Sequence, residues 1–158
     1  MKMKPWQSAT TRSLAKALIV IMGLFVTRYV VAEKPLMVEK GIQYSSKYDA
    51  GRVTSFEAEV AESDGGPVTR EYEIASASPY PPGAVLEIEA SLSVEGGYYE
   101  IEFLFKEKPS FTLAARPNKP VKGKGKVSVT SDGLHLEYRV TSKAAKNVRY
   151  SFKISPAP

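Results

Sequence analysis

The sequence predicts an all-β protein: an antiparallel β-sandwich, jelly-roll or Ig-like, with seven to nine short strands. Three observations predict it. Apolar and polar residues alternate with period two through most stretches after residue 51, so each strand has a dry face and a wet one. Clusters of Gly, Pro, Asn, Asp and Ser recur at roughly the 8–12-residue spacing of sandwich turns. No stretch beyond residue 32 carries the 3.6-residue periodicity of a long helix.

The first 32 residues differ from the rest. Lys2, Lys4, Arg12 and Lys16 lead into an uncharged apolar run over residues 17–26, and Val30-Val31-Ala32 resembles a small-residue cleavage site. This order reads as a secretory signal peptide. The same segment, through residues 17–32, could instead stay as an N-terminal hydrophobic helix anchoring the chain to a membrane. Arg28 interrupts it well short of the roughly 20 apolar residues a spanning helix needs. Either way the expected domain is exported, in the periplasm, at the cell surface or outside the cell.

Residues 33–51 have weak periodicity and read as an N-terminal extension or a pair of short edge strands. Residues 52–158 read as the sandwich itself. Within it, residues 52–75 alternate about the turn signal Glu62-Ser63-Asp64-Gly65-Gly66-Pro67 and predict a hairpin. Three prolines in residues 76–83 forbid a central strand there. Residues 84–106 carry the clearest alternation. Leu86, Ile88, Ala90, Leu92 and Val94 share one parity, and Tyr99, Ile101, Phe103 and Phe105 repeat it after Gly96-Gly97. This predicts a second hairpin, with Glu89 and Glu102 diagonal neighbours on its wet face. Residues 111–115 form a short apolar strand, and residues 116–126 a basic loop holding Lys119, Lys122, Lys124 and Lys126. Residues 134–140 and 148–154 alternate again, separated by a loop or helical turn at residues 141–147.

The chain is formally +5, yet five of its 22 basic residues and none of its 17 acidic ones lie in residues 1–32. The remainder is neutral, so the basic balance belongs to the leader and does not point to nucleic acid. That neutrality hides an asymmetry. Residues 33–105 hold 14 acidic and 5 basic residues, and residues 106–158 hold 3 acidic and 12 basic. Either acidic and basic strands neutralise each other within one sandwich, or the two signs mark surfaces that meet on different molecules.

With no cysteine, disulfides, zinc ribbons and thiol nucleophiles are excluded. The one histidine, His135, sits on the polar parity of its strand, and no G-x-S-x-G, H-E-x-x-H or P-loop pattern occurs. The expectation is a protein with no catalytic residues, no cofactor and no metal ligands. It works as a binding or assembly subunit for a protein partner or its own copies, without nucleic acid. The expected interface is an acidic face of Glu87, Glu89, Glu100 and Glu102 meeting the basic Lys119, Lys122, Lys124 and Lys126 of another molecule, reinforced by edge-strand pairing within residues 33–44. Two alternatives stand beside it. One is a membrane-anchored accessory subunit of a membrane complex. The other is a glycan- or metal-binding module, for which tyrosines offer the aromatic surface, because the single Trp lies in the leader.

Overall fold

The computed structural model describes residues 36–158, so the leader expected at residues 1–32 lies outside the described residues. Pro35–Pro158 is one compact unit. Among the described residues there is no helix, and seven strands follow one another: β1 (Met37–Asp49), β2 (Arg52–Glu73), β3 (Val85–Ser93), β4 (Gly96–Phe105), β5 (Lys108–Ala115), β6 (Val121–Ser128) and β7 (His135–Pro156). All pairings are antiparallel. The strand count matches the low end of the expectation.

The architecture rests on β2 and β7. Each runs for 22 residues, and they pair along nearly their whole length, from Ser55↔Lys153 to Glu73↔His135. Both change direction in the middle. In β2 the change falls at Gly65 and Gly66, whose φ angles are +117° and +97°. A side chain at Gly66 would meet the Val140 carbonyl oxygen at 2.4 Å, so only glycine fits there. In β7 the register shifts opposite these glycines, and Ala144 and Asn147 take positive φ, as bulged residues do. The bend turns one sheet into two layers. Layer A is β1, the first half of β2, the second half of β7, β3 and β6. Layer B is the second half of β2, the first half of β7, β4 and β5.

The core lies between the layers. Phe56 on the first half of β2 packs against Tyr72 from the second half of the same strand, ring centroids 4.2 Å apart and planes tilted by 46°. Phe103 of β4 meets Phe152 of β7 edge to face at 5.0 Å and Phe111 of β5 at 4.6 Å. The dry parity of every strand supplies this interior: Ile88, Leu92, Ile101, Leu136, Val140 and Val148 are each at most 1% exposed.

Four expectations are corrected. The 84–106 hairpin does not form. β3 pairs with β6 and the second half of β7, whereas β4 pairs with β5 and the first half of β7. Val94 and Glu95 therefore form an arch from layer A to layer B, held by Glu95 N–H donating to the Lys146 carbonyl at 3.0 Å. The 52–75 hairpin is a single bent strand, because its glycine cluster bends the chain without reversing it. Residues 141–147 are bulged strand and not loop. Most of the basic loop is strand β6, which packs its glycines inward against Phe111 and Leu113 and sets Lys122, Lys124 and Lys126 outward. The hairpins that do form are β1–β2, through Ala50-Gly51, and β4–β5, through Lys106-Glu107.

The two sides of the sandwich close differently. At one, Ser110 Oγ of β5 donates to the Lys126 carbonyl of β6 at 2.6 Å. At the other, the second half of β2 is the edge of layer B, and the inward side chains of β1 face that edge with no further strand to cover them.

Candidate functional site

Residues 33–51, expected as extension or edge strands, contain one continuous edge strand, β1. It has two parts. Gly41, at φ +62°, interrupts the alternation opposite Ala61. Before it, Met37 and Glu39 point inward; after it, the inward set is Ile42, Tyr44, Ser46 and Tyr48.

The first part is a polar anchor. The Glu39 carboxylate is only 4% exposed and forms an ion pair with Arg70 Nη2 at 2.5 Å. It also accepts hydrogen bonds from Ser63 Oγ at 3.2 Å and Tyr99 Oη at 3.1 Å. Ser63 in turn pairs with the buried Ser142 at 2.8 Å. Burial works against the charge of Arg70, but the hydrogen bond and charge of Glu39 outweigh it and raise its pKa. The phenols of Tyr99, Tyr150 and Tyr138 line the same interior, and burial pushes all three up, so they stay neutral hydrogen-bonding groups. Among the described residues no buried side-chain polar atom is left without a partner.

The second part is open. Among the described residues the large hydrophobic side chains that stand exposed are Leu36, Val38, Ile42, Tyr44 and Tyr48, all on or beside β1. Tyr44 is 74% and Tyr48 58% exposed. They line a cleft of about 380 Å³ between β1 and the second half of β2, with Phe56, Tyr72, Tyr138, Tyr150, Ser46, Arg70 and Glu73. Tyr44 leans on Phe56 at 6.3 Å, and Ser46 hydrogen-bonds the Tyr72 hydroxyl. The cleft is thus a row of aromatic rings with hydroxyls at its rim. The one guanidinium at its edge is already matched by Glu39, so it does not draw anions.

A more open trough of about 430 Å³ lies on the outer side of layer A. Serines floor it, Ser91 and Ser151 bonded at 2.8 Å, and the Arg149–Glu59 pair at 3.1 Å stands at its side. Its charges satisfy each other. Among the described residues no group of three or more His, Asp or Glu is placed to hold a metal ion. His135 bonds Asp132 at 2.9 Å in the β6–β7 turn. There Thr130 Oγ1, the Leu134 N–H and then His135 hold the Asp132 carboxyl down at about 2.

The residues expected to form an interface are distributed as follows. Glu87 and Glu89 lie on layer A and Glu100 and Glu102 on layer B, so the four do not share a face. Glu89 and Glu102 are not neighbours, because β3 and β4 do not pair. Lys124 lies across from Glu89 in register and bridges Glu87 at 3.1 Å and Glu89 at 3.3 Å on the same molecule. Glu102 pairs with Arg139 at 3.0 Å, and Glu100 accepts the Tyr98 hydroxyl, which pushes that phenol up to about 12. Lys122 and Lys126 stand on the outer face of β6, and Lys119 closes the turn from Arg116. Reading the sequence missed Glu39, Arg70, Tyr44, Tyr48 and Tyr72. For Tyr44 and Tyr48 the signal was the alternation Ile42, Tyr44, Ser46, Tyr48, obscured because Gly41 reverses the faces just before it.

No family model matches this chain. No curated protein matches it in sequence. Solved structures give distant matches. A carbohydrate-binding module from Cellvibrio mixtus lichenase 5A, in complex with cellotriose, is 14% identical over 77% of this chain and 91% of that one, with a TM-score of 0.36. The C-terminal CBM6 of LamC, a marine laminarinase from Zobellia galactanivorans, is 13% identical over 73% and 90%, with a TM-score of 0.33. A structure from Bacillus endospore appendages, described as disulfide-linked pili, is 12% identical over 70% and 94%, with a TM-score of 0.34. Similarity at this level carries no inference about ligand.

Proposed function

We propose that this chain is a non-catalytic binding module whose ligand cleft lies between β1 and the second half of β2 and takes the sugar rings of a neutral glycan. The observation that carries this reading is the concentration of exposed Ile42, Tyr44 and Tyr48 along β1, lining one cleft with Tyr72. A sugar presents an apolar C–H face and a rim of hydroxyls. Tyrosine rings match the first, and the hydroxyls of Ser46 and Tyr72, with the Glu73 carboxylate, match the second. The leader-like residues 1–32 support an exported location, where such ligands occur.

The test is affinity electrophoresis of the Pro35–Pro158 unit, which holds all seven strands and their core, through gels containing a panel of neutral and anionic polysaccharides. At least one neutral polysaccharide retards the protein, and Tyr44→Ala and Tyr48→Ala each weaken retardation about three- to tenfold, as loss of one aromatic contact does. Tyr98→Ala, on the outer face of layer B, leaves it unchanged. Absence of retardation across the panel, or retardation that survives the Tyr44→Ala/Tyr48→Ala double substitution, rejects the reading.

A further inference from the structure

We infer that two copies of this chain join through antiparallel pairing of their β1 strands over residues 42–48, with Ser45 opposite Ser45 on a two-fold axis. The inference goes beyond glycan binding and does not depend on it.

The two edges of layer A differ in chemistry. β6, the far edge, reads Val-Lys-Gly-Lys-Gly-Lys-Val over residues 121–127, with a lysine at every outward position. Lysines repeated along an edge deter another strand from pairing with it. Its inner face is also covered by Phe111 and Leu113. β1 reads Ile-Gln-Tyr-Ser-Ser-Lys-Tyr over residues 42–48, with one charge in the stretch. Ile42, Tyr44 and Tyr48 are strand formers, and the outer backbone groups of the stretch have no strand beside them, because β2 is the only strand β1 pairs with among the described residues. The stretch is itself unbulged: the irregularity between Lys47 and Tyr48 adds its extra residue, Thr54, on β2.

Symmetry restricts the register. Along β1 alternate residues aim their backbone groups outward, and two identical strands must match outward residue to outward residue. The position numbers of any antiparallel pair therefore add to an even number, and a two-fold passes through one residue of each copy. A two-fold at Lys47 opposes like charges, those at Gln43 and Tyr44 carry the pairing onto the Gly41 reversal, and one at Ser46 sets Ile42 against Ala50 of the turn. The two-fold at Ser45 pairs the whole stretch: Ile42 with Tyr48, Gln43 with Lys47, and Tyr44 with Ser46. Apolar meets apolar at the ends, no like charges meet, and neither Gly41 nor the Ala50-Gly51 turn is crossed. Paired residues share a parity and so a face. The exposed Ile42, Tyr44 and Tyr48 of both copies thus line one continuous strip, and the two clefts merge into a single groove walled by the second half of β2 from each copy.

The chain has no cysteine, which makes the register directly testable. Cα atoms directly opposite in an antiparallel pair lie about 4.5–5.5 Å apart, within reach of a disulfide. In the Pro35–Pro158 unit, Ser45→Cys oxidises to a covalent dimer, while Lys122→Cys on β6 stays monomeric under the same conditions. Gln43→Cys and Lys47→Cys each cross-link poorly alone but form a heterodimer when mixed. The unsubstituted unit shows a dimer mass in light scattering, and Tyr44→Lys, which sets two added charges beside the axis, returns it to monomer. A monomeric mass at high concentration, or a Ser45→Cys cross-link no faster than that of Lys122→Cys, overturns the inference. Glycan retardation by a protein that stays monomeric would leave the cleft standing and remove the dimer.

Discussion

Glu39 shows how much one side chain can hold. It lies near the start of an edge strand, where a carboxylate is ordinarily solvated, yet it is almost wholly buried against Arg70, Ser63 and Tyr99. The arrangement ties β1 in layer A to Arg70 and Tyr99 in layer B. Removing one partner of such a pair leaves the other charge desolvated and uncompensated. Glu39→Ala is therefore expected to lower the unfolding free energy by about 3–5 kcal/mol in urea denaturation. Replacing both partners with apolar residues, as in Glu39→Leu/Arg70→Leu, removes both charges together and should cost less than the single change. A double variant as unstable as the single one would show that the pair acts only through packing.

At the scale of elements, β3, β4 and β6 show what local pattern does and does not convey. The alternation of β3, and of β4 as far as Phe103, correctly separates core from surface: Ile88, Leu92, Ile101 and Phe103 are buried as their parity requires, whereas the irregularity at Phe103-Leu104 buries Leu104 in place of the expected Phe105. The same pattern is silent on partners. A strand with one dry face satisfies it equally in a hairpin or in an arch that sends its two arms to opposite layers. The arch forms because β7 is long enough to offer each arm its own half. In β6 the glycines read as loop punctuation, but they are packing residues: a Cβ at Gly125 would stand 2.3 Å from the Phe111 ring. Gly125→Ala should destabilise by about 1–3 kcal/mol through overpacking, seen as a lowered thermal midpoint. Lys124→Ala, next to it on the outward face, should shift the midpoint far less, because its exposed ion pairs contribute little.

For the whole molecule, the charge imbalance between the two halves of the chain is resolved within the sandwich wherever ion pairs bring the halves together. Lys124 with Glu87 and Glu89, Arg139 with Glu102, and Arg149 with Glu59 each join a basic residue from the second half to an acidic one from the first. Association through β1 relies on backbone hydrogen bonds and apolar contact. The dimer mass should therefore persist when salt rises from about 0.05 to about 0.5 M, over which surface charges become strongly screened. Dissociation with salt would instead favour contact between acidic and basic faces.

The sequence by itself determined the all-β class, the strand count within its expected range, and which parity of β3, β7 and β4 up to Phe103 faces the core. Those follow from local rules: side chains alternate along any strand, and apolar ones leave water. Tertiary structure alone decided that two predicted strand pairs are one bent strand each, that β3 and β4 part company, and that Glu39 is buried. It also decided that Tyr44 and Tyr48 stand open at a cleft. Each of these depends on which distant segment lies alongside, and a strand's own residues carry its faces but not its neighbours.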